Sequence, residues 1–335
     1  MAALLIHGNK NLGCTDKPCA WKSTKTKTKD RETVTVSEMF PSSRPDYKAI
    51  NRAVTEEDRE WFCRELKKTG EPVGFTWLLS PEPTPDKLCI PTFDDIILSQ
   101  EYLDTVNKTG YILAKLEINE NTRNYVACVT TGQRTNPLWL MYRKGRVTAS
   151  NFGYILPAIA RESYPPSLFK RLLGEYDLSG VKSVQFGIEH EATAVQQYEQ
   201  FSEKSVQQTG LWLHNSGVLG ASPDGLVDDD RIVEVKCLFK YRASSIQDAI
   251  AKEKNFIISK TTTGQYLVNV NHPFYHQIQG QLYLTGRTVC DLILWTPVDF
   301  SVVSIERSIA WKCNIEKLMD FYVSKLLPKI IDGGF

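Results

Sequence analysis

Two hydrophobic periods divide this chain. Around 55–69 the spacing is helical: Thr55 and Asp58 form a capping-box start, acids fill the first turn, Lys67 and Lys68 close it, and Gly70 follows. Residues 78–98 are rich in proline and predict an irregular connection. From about Trp139 to Ile330, helix and strand patterns succeed one another. Phe152, Ile155, Leu156 and Ile159 recur at i, i+3, i+4 and i+7, which predicts a helix. A second helix is predicted over 187–204, and a third opens at Pro273 and runs to about Thr285. Ile315, Leu318, Met319, Tyr322 and Leu326 line one face of a last helix, expected to stop at Pro328. Strand patterns occupy 209–213, 217–221, 231–238, 289–296 and 301–307. The predicted class is α/β, a mixed sheet bracketed by helices.

Composition narrows the picture only slightly. The chain has 335 residues with 42% hydrophobic and 10% aromatic, enough for a substantial core. Lys plus Arg is 40 and Asp plus Glu is 39, so any basic footprint for nucleic acid must be local. No apolar run approaches the ~18 residues of a membrane span. The opening MAALLIHGNKN lacks the flanks of a signal peptide. The 8 cysteines are scattered and read as reduced intracellular thiols, an expectation of the nucleus or cytoplasm.

The densest chemical signal lies between Ser222 and Lys236, SPDGLVDDDRIVEVK. Asp224 sits on a turn. Ten positions later Glu234 and Lys236 stand two apart on a strand, so both project from one face, roughly 7 Å apart. A hairpin over the intervening residues would fold Asp224 back beside them. Two carboxylates and an ammonium suit a hard, oxygen-seeking cation next to a phosphate. Taken alone, Val-Glu-Val-Lys reads as an ordinary half-exposed strand, and Asp-Gly as an ordinary turn. Glu191 adds to the signal. It falls on the helical stripe of Ile188, Val195, Tyr198 and Phe201, where a carboxylate is costly unless it is paired or holds a cation.

These residues resemble the PD-(D/E)XK nuclease signature, and their surroundings resemble the phage lambda exonuclease and YqaJ-type viral recombinase nucleases. Trp139-Leu-Met-Tyr-Arg143 with Thr148-Ala-Ser150 looks like that family's W-x3-R and T-A-S. Gly187-Ile-Glu-His-Glu191 resembles its G-x3-E helix. Ser222-Pro-Asp-Gly225 and Glu234-Val-Lys236-Cys237 resemble its S-P-D-G and E-x-K-C elements, and Gln277-Ile-Gln279 its Q-x-Q helix. Each element is weak alone; their order is not. The resemblance implies a restriction-endonuclease-like core over 139–330. It implies Mg2+ or Mn2+ on Asp224, Glu234 and the Val235 carbonyl, with Glu191 at a second metal or a metal-bound water. Lys236 would orient or deprotonate the attacking water. Arg143, Ser150, Ser222 and Arg242 would grip phosphate, Arg242 standing eight positions after Glu234. Gln279 would contact the scissile region. One position departs: His214 stands where the phage enzyme has an acidic residue, which puts the second metal in question.

The expected activity is hydrolysis of double-stranded DNA from a free end, 5′ to 3′, in recombination, repair or the processing of mobile-element or viral DNA. An endonuclease on the same core is the first alternative; a DNA-binding module whose chemistry has decayed is the second. The phage enzyme is a toroidal trimer; no oligomer interface is legible here, and a homo-oligomer stays open. Residues 1–50 are expected to be poorly ordered, and 51–138 helical or irregular with no assigned role. Met1-Ala-Ala-Leu-Leu and Cys14-Thr-Asp-Lys-Pro-Cys19-Ala-Trp21 resemble the segment after a SWIM-type zinc finger in animal proteins with this domain. The finger's own C-x-C and C-x-H pairs are absent, so no zinc site is expected.

Overall fold

The computed structural model describes residues 51–70, 90–174 and 180–333, with Gly74 and Tyr176 besides. The expectations for residues 1–50, including Cys14 and Cys19, lie outside them. The chain forms two compact units, Met1–Pro83 and Thr84–Phe335.

In the first unit the described element is α1 (Glu56–Lys68). Its capping box is formed as the sequence predicts, with Thr55 and Asp58 each satisfying the other's backbone N–H.

The second unit opens with short helices: α2 (Phe93–Ile97), α3 (Gln100–Asp104), α4 (Lys108–Leu116), α5 (Glu120–Val129) and α6 (Pro137–Arg143). Each begins at a side chain that caps it: Thr92, Ser99, Asn107, Asn119 and Asn136. Helix α2 corrects the expectation of irregular chain through residue 98. It is only five residues long, so no apolar period announces it; the Thr92–Asp95 capping box forms it.

There follow β1 (Val147–Thr148), α7 (Phe152–Ala160), α8 (Pro166–Leu172), α9 (Lys182–Ser202), β2 (Trp212–Leu213), β3 (Leu219–Ala221), β4 (Gly225–Val227) and β5 (Arg231–Cys237). Then come α10 (Ile246–Lys252), β6 (Ile258–Lys260), β7 (Tyr266–Val268), α11 (Pro273–Thr285), β8 (Val289–Trp295), β9 (Phe300–Glu306) and α12 (Cys313–Phe321). The last helix does not stop at Pro328. A π turn over Tyr322–Leu326 leads into α13 (Leu327–Ile331), which carries Pro328 in its first turn.

The main sheet has strand order β4-β5-β8-β9, with β5 parallel to β8 and the other pairs antiparallel. Strand β5 is therefore interior, and its residues alternate between two covered faces. Ile232 joins Ile278 and Leu282 of α11 and Leu292 and Leu294 of β8 in one core. Val233 and Val235 join Ala194 and Tyr198 of α9 and Ile293 in another. Each such Ile or Leu contributes about 2 kcal/mol through burial. Smaller sheets, β1-β3-β2 and β6-β7, flank this core.

Helices α7 and α11 pack closely because small residues lie between them. A Cβ on Gly153 would stand 2.4 Å from the Pro273 Cα, and one on Gly280 would stand 2.4 Å from the Phe152 ring. That approach fixes where α11 presents its glutamines. Among the described residues no helix is long and apolar enough to cross a membrane.

Candidate active site

The hairpin inferred from sequence exists. Strand β4 pairs antiparallel with β5, and the Asp224 N–H donates to the Val233 carbonyl at 3.1 Å. The Asp224 carboxylate turns back and accepts from the Val235 N–H at 2.6 Å. Glu234 and Lys236 share the α11 face of β5, and the Lys236 ammonium donates to Glu234 Oε1.

Glu234 is buried (2% exposed), a costly position for a carboxylate. The donors that hold it come from α11: Gln277 Nε2 at 2.5 Å from Oε1 and Gln281 Nε2 at 2.6 Å from Oε2. These glutamines lie at i and i+4, on one face of α11. Gln279, the residue expected at the scissile region, lies on the opposite side. Its amide donates to the Glu306 carbonyl at 2.9 Å and accepts from the Ser308 N–H at 2.8 Å. It fastens α11 to the end of β9, and the site glutamines are Gln277 and Gln281. Gln281 Oε1 is buried with no hydrogen-bond partner.

Glu191 comes to the same cleft, but not from a buried stripe. The buried residues of α9 are Ala194 and Tyr198, while Ile188 and Phe201 are exposed. Glu191 is half-exposed, and its nearest cation is Arg134 at 3.9 Å. Its pKa is raised by burial, which outweighs Arg134, with Glu234 adding to the rise. Asp224 is raised well above the ordinary carboxylate range, first by burial and then by the charges of Glu234 and Glu191. Burial pulls the Lys236 ammonium down, but Glu234 and Asp224 outweigh it and leave its pKa raised. Three carboxylates thus crowd one region. The adjoining Cys237 thiol is pushed up to about 12, chiefly by burial, and is no nucleophile at neutral pH.

These groups line a cleft of about 1060 Å³, together with Arg143, Ser150 and Ser222. Trp139 organises that wall. Its indole N–H donates to Ser222 Oγ at 2.8 Å, and the Arg143 guanidinium lies 3.8 Å over its ring. Burial lowers Arg143 to about 10, so it stays charged at neutral pH. It pairs with no carboxylate among the described residues. Gln133, from the loop after α5, donates to the Pro223 carbonyl at 2.7 Å and so holds the turn that carries Asp224. A neighbouring cavity of about 520 Å³ shares Arg134, Glu191 and Lys236 with the cleft.

Two expected positions lie elsewhere. Arg242 is exposed, folded over Phe239 at 4.3 Å and bonded to the Phe239 carbonyl, and it does not line the cleft. It caps its own 3-10 turn, a local contact that the spacing from Glu234 could not reveal. His214 ends β2, with Nδ1 2.9 Å from Ser216 Oγ, and is likewise away from the cleft. Trp139 was marked by the W-x3-R element, but Gln133 carried no signal: it is uncharged and acts by holding the Pro223-Asp224 turn.

An interior strand carrying Glu234 and Lys236, an edge hairpin returning Asp224, and helices on both faces define a protein of the PD-(D/E)XK nuclease class. Residues 138–288 match the YqaJ-like viral recombinase domain. Among solved structures, the chain is similar to an alkaline exonuclease, LHK-Exo, from Laribacter hongkongensis, at 25% identity and TM-score 0.43, over 57% of this chain and 93% of that one. A phage related exonuclease from Haemophilus somnus 129PT matches at 15% identity and TM-score 0.41, over 57% and 96%. The shutoff and exonuclease protein of Kaposi's sarcoma associated herpesvirus matches at 11% identity and TM-score 0.41, over 82% and 93%. No curated protein sequence matches the chain.

Proposed function

We propose that this protein is a Mg2+- or Mn2+-dependent exonuclease that degrades double-stranded DNA from a 5′ end, in recombination or the processing of viral or mobile-element DNA. The observation that carries the reading is Glu234: a buried carboxylate, held from behind by Gln277 and Gln281, that opens onto a cleft shared with Asp224, Glu191 and Lys236.

The donor set fits a hard divalent cation. It is all oxygen, and the charges of Glu234 and Glu191 add to burial in raising the Asp224 pKa. Among the described residues no three His, Cys, Asp or Glu side chains close around one point. Asp224, Glu234 and the Val235 carbonyl would hold the ion, with water completing its shell. When bound, such an ion offsets charge on phosphate oxygens and acidifies water.

The chain's own residues do the rest. Lys236 presents an ammonium to the phosphate from the same strand face as Glu234. Gln277 and Gln281 keep Glu234 from rotating out of the cleft. Arg143, immobilised on Trp139, offers its guanidinium to a terminal phosphate beside Ser150 and Ser222.

The test is degradation of linear duplex DNA with a 5′-phosphate, in Mg2+, Mn2+ or EDTA, beside Lys236→Ala and Asp224→Asn. Metal-dependent loss of linear DNA that both substitutions abolish supports the reading. Cutting of a closed circle as well makes the protein an endonuclease on the same site. No activity from the folded, DNA-binding protein overturns the nuclease reading.

A further inference from the structure

A second cavity, of about 340 Å³, adjoins the cleft and contains none of the motif residues. Tyr154, Ala158 and Arg161 line it at i, i+4 and i+7 from one face of α7, and Arg171 of α8 stands opposite. Tyr176 lines both the cavity and the cleft, so the two are contiguous. Ser150, at the cleft, lies one turn before Tyr154. A single stripe of Ser150, Tyr154, Ala158 and Arg161 therefore runs from the cleft into the cavity. From Tyr154 to Arg161 it is about 10 Å long at helical rise, the length of about three stacked nucleotides at 3.4 Å each.

The walls have a definite chemistry. The Arg171 guanidinium lies 4.1 Å over the Tyr154 ring. Tyr154 and Tyr176 are 40% and 47% exposed, and both arginines are exposed. Among the described residues neither arginine pairs with a carboxylate and no carboxylate lines the cavity. Glu175 and Asp177, beside Tyr176 in sequence, lie outside those residues. Guanidinium groups without a carboxylate partner, beside partly exposed aromatic rings, match the two parts of a single strand, phosphate and base. An acidic peptide would use the arginines and leave the rings idle.

We propose that this cavity is a second subsite, which takes the single-stranded 5′ extension of a duplex, continuing past the Arg143 and Ser150 position that the terminal phosphate of a blunt end fills. The inference rests on the nuclease reading for what occupies the cleft. If the terminal phosphate were the strand's last contact, nothing would reach Tyr154 or Arg161. With the subsite filled, the strand runs through the cleft and the bond cut lies within it. Water then adds its oxygen to phosphorus, the sugar oxygen leaves with the proton, and the first product is a short oligonucleotide instead of a mononucleotide.

The test uses the full chain and an Arg161→Ala, Arg171→Ala double variant, both positions being exposed. One substrate is a blunt duplex with a 5′-phosphate; the other carries a single-stranded 5′ extension of about ten nucleotides. The variant should lose about tenfold in kcat/KM on the extended duplex, stay within about twofold on the blunt one, and cease to release oligonucleotides. Equal loss on both substrates, or no loss, overturns the proposal.

Binding separates this subsite from the nuclease reading. In EDTA, anisotropy of a labelled oligothymidine of about ten residues should show about tenfold weaker binding by the variant. The salt slope of log K should be shallower by about 1.4 for two lost contacts. If that holds while wild type cleaves nothing, the subsite stands and the nuclease reading falls. If binding is unchanged, or a glutamate decapeptide binds as tightly as the oligothymidine, the subsite falls.

Discussion

Two buried carboxylates stand on neighbouring parallel strands and do opposite things. Asp291 of β8 faces α9 and is 5% exposed. Tyr198 donates to one oxygen at 2.6 Å, and Arg231 and Ser304 to the other, each at 2.6 Å. Its charge is matched by a fixed guanidinium and its lone pairs by fixed donors, so nothing is left to bind. Glu234 of β5, on the other face of the sheet, is held by two neutral amides and one ammonium and is crowded by Asp224 and Glu191. Burial alone does not distinguish a structural carboxylate from a working one. The charge balance around it does: closed at Asp291, in excess at Glu234.

The largest effects should come from the open side of that comparison. Glu234→Gln or Asp224→Asn should lower nuclease activity roughly a thousandfold, with a melting temperature at or above that of wild type, because each removes one of the crowded charges. A large loss of stability in either variant would place Glu234 with Asp291. Next, Asp291→Ala should cost about 3 kcal/mol by stranding Arg231 in a partly buried site, read by denaturant unfolding, with activity kept at temperatures where the variant is folded. Loss of activity in that folded variant would break the distinction.

Smaller effects should divide the glutamines of α11. Gln281→Ala should lower activity by about 10- to 100-fold by loosening Glu234. Gln279→Ala should instead cost about 1–3 kcal/mol of stability and leave kcat unchanged. The smallest effect is a pH dependence. Asp224 has a folded-state pKa raised above its ordinary 3.8, so above that pH the folded state holds a proton that the unfolded chain has lost. Without divalent ion, stability should therefore fall as pH rises from 3.8 through the raised value. Asp224→Asn should flatten that slope, and added Mg2+ should offset it. Thermal melts across this window would show all three behaviours.

The sequence carried the strand with Glu234 and Lys236, the turn with Asp224 and the bounds of α11 with little ambiguity. Each rests on a local rule: alternation, turn chemistry or Pro at a first helical turn. What it concealed is tertiary. The Q-x-Q spacing drew attention to Gln279, whereas a helix puts Gln277 and Gln281 on one face, and only the packing of α7 against α11 decides which face meets β5. Glu191 reached the cleft through the placement of α9, whose Ile188 and Phe201 are exposed although their spacing with Tyr198 suggested a single stripe. The short helices before α6 were concealed because capping side chains, and not apolar periods, define them. Arg242 was misplaced because its partner, the Phe239 carbonyl, is local.

The parallel pairing of β5 with β8 has a consequence for the making of the protein. Val233 on the first strand meets Asp291 on the second, with α10, β6, β7 and α11 between them in the chain. Asp224 and Glu234 leave the ribosome on a hairpin that can close locally. The glutamines that restrain Glu234, and the strand that completes its bed, are synthesised only later. Long-range parallel contacts also form late in folding. A nascent or half-folded chain thus bears the acids without the frame that aims them.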